Sequence, residues 1–201
     1  MRIAKFALAI VFAVVGLVLL ANQRAAADGG IPLAALAGNY AFTCQGTFSI
    51  CLDSKTFAPI DCGAKTPLVV VPLTDLGIGE LTRDAKGNLC SNDLEVVSSL
   101  PVDNTPPSVS PVHPAVGITS NYDPVTGTGD ISVIEYRGGK CIGSTFDSTG
   151  AVETTTFTFH FAVSNQGKRI DMVVTSAVAF VTGTTGNFIG DFSLSCTNLR
   201  Q

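Results

Sequence analysis

Six cysteines carry the clearest chemical information in this chain of 201 residues, and their spacing favours disulfides over metal binding. No two of them form a Cys-x-x-Cys pair, and the sequence has only two histidines, His113 and His160. A structural zinc site normally needs its ligands in closely spaced pairs. We therefore expect three disulfides, and we predict neither a metal site nor a cofactor.

The positions of the cysteines favour one set of disulfide pairs. The second and third cysteines flank a segment without strand alternation, which a short disulfide would close into a surface loop. The first and last cysteines lie on the apolar faces of the first and last predicted strands, and these strands are neighbours in a closed sheet. The other two pair by elimination. The predicted pairs are Cys51–Cys62, Cys44–Cys196 and Cys90–Cys141.

Neither histidine has surroundings that favour a catalytic base. His113 lies between Val112 and Pro114 in a proline-rich stretch, where mobility argues against a positioned base. His160 lies on the Thr-lined outer face of a predicted strand, which is typical of a solvated histidine. The sequence also lacks nucleophile-elbow, phosphate-loop and zinc-protease motifs. We therefore assign no catalytic residue.

Two glutamates, Glu135 and Glu153, are the remaining candidates for acid–base chemistry. Glu135 follows Ile131 and Val133 at a spacing of two, which is typical of one strand face. If that face is interior, the pKa of Glu135 should rise, and its carboxylate would contact a ligand or pair with Arg137. The alternative, which we favour, is a carboxylate that reaches water at the strand end.

Aromatic residues cluster on the apolar faces of strands that meet where the sheet closes. Packed against one another they would form an ordinary barrel core, since small barrels fill with side chains. Arranged around a space they would line an apolar cavity for a lipid-like or aromatic molecule. The predicted ligand-binding residues are Tyr40, Phe42, Phe48, Phe157, Phe159, Phe161, Phe188 and Phe192.

Apolar and polar residues alternate along most of the chain after Gly38, which predicts β-strands. Turns with an Asx residue and a glycine, such as 84–88 and 123–127, indicate antiparallel hairpins. We predict an all-β fold, a single antiparallel up-and-down β-barrel of eight to ten strands stapled by disulfides, with a β-sandwich as the alternative. The predicted strands are 39–49, 67–73, 76–83, 88–97, 117–122, 129–136, 140–146, 153–164, 169–181 and 187–197.

The first 27 residues have the pattern of a secretory signal peptide. Arg2 and Lys5 precede an apolar run at 6–21, and three alanines at 25–27 form a cleavage pattern. The apolar run is shorter than a membrane-spanning helix requires. We therefore expect cleavage, no membrane span in the mature chain, and a secreted or periplasmic protein.

The mature chain, residues 28–201, has the length of one domain, with a proline-rich loop predicted at 98–116. Removal of the signal peptide takes away three basic residues and no acidic residue, which changes the net charge from −4 to −7. An acidic surface without a basic cluster repels phosphate. This charge excludes nucleic acid as a partner.

The predicted strand at 169–181 is apolar on both faces after Asp171. Met172 and Val174 lie on one face, whereas Val173 and Ala177 lie on the other. A strand that is buried on both faces needs a cover. The proline-rich loop or a second copy of the chain would provide it, and we predict a self-associating surface here.

The segment Leu36-Ala37-Gly38-Asn39-Tyr40 resembles the Gly-x-aromatic opening of lipocalin-type (calycin) barrels, with Tyr40 where lipocalins usually carry Trp. The segments 77–89 and 167–175 are similar to hairpins that recur in uncharacterised secreted bacterial proteins of barrel fold. This resemblance implies a barrel fold and, by analogy with lipocalins, a ligand held in the interior.

Three functions therefore compete. The leading one is a secreted, non-catalytic barrel that binds a small apolar ligand. The second is a surface interaction or adhesion module, which would combine a packed interior with an exposed apolar patch. The third is a barrel isomerase or hydrolase that uses buried carboxylates.

Overall fold

A computed structural model describes residues 29–65, 68–99, 108–109, 113–179 and 186–201, with the backbone alone for 94–99 and 108–109. The predicted signal peptide at 1–27 and most of the predicted loop at 98–116 lie outside these residues.

Eight antiparallel strands close into a barrel, which confirms the predicted all-β fold. Each of these strands pairs with the barrel strand that follows it in the chain, and the first also pairs with the last, so the meander has no free edge. The barrel strands are β1 (Gly38–Asp53), β2 (Leu68–Arg83), β3 (Leu89–Ser99), β5 (His113–Asp123), β6 (Thr128–Arg137), β9 (Val152–Ser164), β10 (Arg169–Ala179) and β11 (Ile189–Arg200).

Among the described residues, three short strands lie outside the closed meander. The strand β4 (Ser108–Val109) pairs with β3, and β7 (Lys140–Ile142) pairs with β8 (Thr145–Asp147) in a hairpin of its own. This hairpin lies against the outside of β3, where the Asn92 side chain donates to the Cys141 carbonyl at 3.2 Å and accepts from its N–H at 3.1 Å.

Three of the predicted strand boundaries were wrong. The predicted strands 67–73 and 76–83 form one continuous strand, β2, because Thr74 and Asp75 pair with β3 instead of forming a turn. The predicted strand 140–146 divides into β7 and β8. The strand β5 begins at His113, so that His113 and Pro114 belong to the sheet and not to a loop that reaches residue 116.

Side-chain alternation directs the apolar faces inward. The core contains Tyr40 and Phe42 from β1 and Phe159 and Phe161 from β9, as the sequence pattern predicts. The disulfide Cys44–Cys196 joins neighbouring strands inside the barrel. The other two disulfides are Cys51–Cys62 and Cys90–Cys141.

One end of the barrel is closed by a 3-10 helix at Leu33–Leu36. The Tyr40 hydroxyl donates to the Leu36 carbonyl at 2.7 Å, and the Tyr122 hydroxyl donates to the Ile31 carbonyl at 2.7 Å. From the last strand, the Arg200 guanidinium donates to the carbonyls of Ala35 and Ala37. These bonds hold the segment that precedes β1 across the barrel end.

A buried arginine lies beneath this closure. Arg83 is 2 % exposed, donates to Thr119 Oγ1 at 2.7 Å, and places its Cζ atom 5.6 Å from the centre of the Phe161 ring. Burial lowers the pKa of Arg83 below its ordinary value.

None of the helices in the described part of the chain is long and apolar enough to cross a membrane.

Candidate functional site

A cavity of about 220 Å³ occupies the barrel end opposite the 3-10 helix, and we call it the chamber. Strands β9, β10, β11 and β1 supply its apolar wall. Its apolar side chains include Phe48, Phe157, Val174, Phe188, Phe192 and Leu194. Alternation explains this wall, because every second residue of these strands faces inward.

The opposite half of the barrel gives the chamber polar groups. Asp75 from β2, His113 from β5 and Glu135 from β6 line the chamber. Glu135 shares the inward face of Ile131 and Val133, both of which are buried in the core. Glu135 therefore lies on the inward face of its strand, and because the residue is only partly buried, the structure does not contradict the expectation that its carboxylate reaches water.

A second cavity of about 60 Å³ lies deeper in the barrel, and we call it the inner cavity. It shares four lining residues with the chamber, so the two spaces adjoin. Ser91 and Asp93 from β3 and Asn198 from β11 bring polar atoms to its wall, beside the disulfide Cys44–Cys196.

The interior clearly perturbs the ionisation of Asp93. Burial raises the pKa of Asp93 from an ordinary 3.8 to about 6, and the negative charge of Asp75 raises it further. The Oδ1 atom of Asp93 is buried and accepts no hydrogen bond from the described residues. Asp93 therefore stays partly protonated at mildly acidic pH and is ionised at neutral pH.

Asn198 is a second buried polar group, only 1 % exposed. Its Nδ2 donates to the Ile170 carbonyl at 3.2 Å, which fixes the orientation of the amide because the reverse orientation would oppose two oxygens. The Oδ1 atom is consequently left without a hydrogen-bond donor among the described residues.

The predicted aromatic residues divide between three levels of the barrel. Phe48, Phe157, Phe188 and Phe192 line the chamber, and Phe157 also lines the inner cavity together with Phe42 and Phe159. Tyr40 and Phe161 are fully buried in the core near the closed end and line neither cavity.

The other residues considered for chemistry lie outside the barrel. His160 bonds through Nδ1 to Asp130 at 2.9 Å on the outer face, and both side chains are well exposed. Glu153 is exposed and accepts a hydrogen bond from Thr156. In the described part of the chain, no three His, Cys, Asp or Glu residues are placed to hold a metal ion.

Sequence reasoning missed four of the polar residues that line the two cavities. Asp75 fell between two predicted strands and His113 in a predicted loop, whereas Asp93 and Asn198 were not considered. Strand alternation could have identified Asp93 and Asn198. Asp93 follows Leu89 at an even spacing, and Asn198 follows Cys196 at a spacing of two, so both continue the inward faces of their strands.

Fold and cavity together define a closed eight-stranded antiparallel barrel with an internal space, an architecture compatible with lipocalin-type barrels. No match to this chain was found in comparisons with known protein families, curated proteins and solved structures.

Proposed function

We propose that this protein binds a small, mainly apolar molecule in the chamber. The observation that carries the proposal is a cavity of about 220 Å³ whose wall contains four phenylalanines and a few polar groups. Ligand sites in proteins have this composition, with apolar walls for affinity and few polar groups for orientation.

The volume sets the size of the ligand. An apolar cavity of about 150 Å³ holds benzene in another protein, and ligand pockets start at about 300 Å³. The chamber lies between these values. A single aromatic ring with a short substituent therefore fits better than a fatty acid.

Calorimetric titration with ethylbenzene tests the proposal. We expect a dissociation constant on the order of 0.1 mM, within the efficiency limits of a ligand with about eight heavy atoms. The variant Val174→Trp should abolish binding, because Val174 lines the chamber. The matched control is Val173→Trp, since Val173 is the next residue on the same strand and is 53 % exposed on the outside.

Two results would contradict ligand binding in the chamber. One is the absence of heat with ethylbenzene and with indole at concentrations up to their solubility. The other is equal binding by the two tryptophan variants, which would place the ligand on the outer surface.

A second candidate function is acid–base catalysis on the bound molecule, and Asp93 favours it. Burial raises the pKa of this carboxyl group to about 6, near the pH at which a general acid or base works best. Catalysis by Asp93 predicts turnover that Asp93→Asn abolishes while binding remains. Binding without any chemical change of the ligand supports the non-catalytic function.

The three disulfides support a location in an oxidising compartment, either outside the cell or in the periplasm. Secretion after removal of residues 1–27 remains part of this proposal. N-terminal sequencing of the exported protein checks it, with residue 28 as the expected first residue.

Self-association through β10 also stays a prediction. Val173 is exposed on the outer face of this strand, whereas Met172 and Ala177 are buried inside. Sedimentation velocity over a hundredfold range of concentration measures it, and a dimer that Val173→Asp dissociates is the expected result.

A further inference from the structure

The chamber and the inner cavity follow one another along the barrel wall. On β11, Phe192 and Leu194 line the chamber. Further along the same strand, Leu194, Cys196 and Asn198 line the inner cavity. Because alternate residues of a strand face the interior, the step from Leu194 to Asn198 covers about 13 Å along the strand. The two spaces together are therefore elongated from the open end of the barrel toward its closed end.

The two neighbouring strands repeat this order. On β9, Thr155 lines the chamber, Phe157 lines both spaces and Phe159 lines the inner cavity. On β10, Val174 lines the chamber and Met172 lines the inner cavity. These strands are consecutive in the sheet, in the order β11, β10, β9. One side of the barrel thus forms a continuous wall past both spaces.

Two apolar side chains mark the boundary between the spaces. Phe157 and Leu194 are half-buried, line both spaces, and pack against the same core cluster. They come from the strands on either side of β10. A ligand that occupies both spaces must pass these two side chains, which are consequently placed to limit its width at this depth.

The size of the inner cavity limits what can lie beyond this boundary. Its volume of about 60 Å³ is well below the roughly 150 Å³ that hold benzene in another protein. A second aromatic ring is therefore too large, whereas a short chain of a few atoms fits. Much of the wall is apolar and buried, and it includes Leu81, Leu89, Val133 and Met172. Such a wall suits an aliphatic group.

We propose that the site selects an elongated ligand, with an aromatic ring in the chamber and an unbranched aliphatic tail that passes Phe157 and Leu194 into the inner cavity. This inference rests on the proposed ligand binding and specifies the shape of the ligand. Leu194 is the residue that determines this specificity, because it restricts the width of the tail. Water is the competing occupant, since a cavity of about 60 Å³ has room for it.

Two isomers of equal composition test the shape preference by calorimetric titration. In butylbenzene the four substituent carbons form a chain, whereas in tert-butylbenzene they branch at the ring. We expect butylbenzene to bind about fifteenfold more tightly, because two methylenes buried in the inner cavity each raise the affinity about fourfold. Ethylbenzene, whose substituent is short enough to stay in the chamber, is the reference ligand for both isomers.

Substitution of Ala115 locates the tail. Ala115 is 4 % exposed, lines the inner cavity and does not line the chamber. Ala115→Leu fills the inner cavity, so it should remove the advantage of butylbenzene and leave the affinity for ethylbenzene unchanged. The control is Ser120→Leu, which places the same side chain on an exposed position of the same strand and should change neither affinity.

Substitution of Leu194 tests the boundary itself and does not add volume to the core. Leu194→Ala widens the passage, so tert-butylbenzene should gain affinity and the preference for the linear isomer should fall below about threefold. The matched control is Leu199→Ala on the same strand. Leu199 is 52 % exposed on the outside of the barrel, so this variant should retain the full preference.

The outcomes separate the two proposals. If none of the three ligands binds, ligand binding in the chamber is wrong. If ethylbenzene binds and the two isomers bind equally, the chamber remains a binding site and the tail in the inner cavity is overturned. An equal loss of all three affinities in Ala115→Leu overturns it as well. If Ala115→Leu does not fold, Leu194→Ala decides, because an undiminished preference for butylbenzene in that variant contradicts the role of Leu194.

Discussion

At the scale of single residues, Asp93 contributes to the change of barrel stability with pH. Its pKa is raised in the folded state from 3.8 to about 6, so folding favours the protonated form. The contribution of Asp93 to stability is therefore complete below about pH 4 and is lost as the pH rises through 6. The loss amounts to about 3 kcal/mol, at 1.36 kcal/mol per pKa unit.

Replacement of Asp93 by Asn should stabilise the protein at neutral pH. We expect a gain of up to about 3 kcal/mol in the free energy of unfolding at pH 7.5, and most of this gain should disappear at pH 4. Urea unfolding at the two pH values measures it. A variant that is less stable than the wild type at pH 7.5 would show that ionised Asp93 has a stabilising partner.

The same substitution at Asp130 serves as a control with the opposite sign. Asp130 lies on the outer surface, where a hydrogen bond from Asn121 and a weaker effect of the hydrogen bond from His160 lower its pKa. Asp130→Asn should therefore lose stability at pH 7.5 relative to pH 3, and not gain it. A gain at both positions would indicate a general effect of net charge.

We expect the buried guanidinium of Arg83 to add little net stability at the closed end. Its Nε and Nη2 atoms are buried and donate no hydrogen bond to the described residues, and Thr119 has another partner, the Gly87 carbonyl. Arg83→Met should therefore stay within about 1 kcal/mol of the wild type, whereas Arg83→Ala should cost about 2–4 kcal/mol through the cavity that it leaves. A large loss in the methionine variant would contradict this ranking.

At the scale of secondary-structure elements, irregularities within strands limited how well the sequence predicts which residues face inward. The register of β10 against β9 shifts between Val174 and Ser176, so that the inward residues are Met172 and Val174 before the shift and Ala177 and Ala179 after it. This β-bulge explains why the sequence shows two apolar faces. A fixed period of two cannot reveal a bulge.

The disulfide Cys90–Cys141 joins the hairpin β7–β8 to β3, beside the two hydrogen bonds between Asn92 and Cys141. Cys90–Cys141 spans 51 residues, and Cys51–Cys62 spans 11. Loop-closure entropy predicts a loss of about 4 kcal/mol when serines replace the first pair and about 3 kcal/mol for the second. Hydrogen exchange at residues 140–147 should accelerate only in the first variant. Faster exchange in both variants would show that the hairpin is not held locally.

At the scale of the whole molecule, the sequence was sufficient to predict the barrel but not the cavities in its interior. Alternation at 39–49 and 187–197 placed the Cys44–Cys196 pair inside a closed sheet, because apolar faces must meet. Whether aromatic side chains fill the interior or surround a space depends on packing between strands far apart in the chain. No local pattern encodes that, so the two cavities emerged only with the fold.

The most direct test of the account is a crystal structure of the protein equilibrated with 4-bromotoluene, which has about the size that the chamber admits. The account predicts an anomalous bromine peak between Phe157 and Phe192, within the chamber, and its loss in Val174→Trp. Bromine only on the outer surface, with side chains filling the space between these two rings, would contradict it.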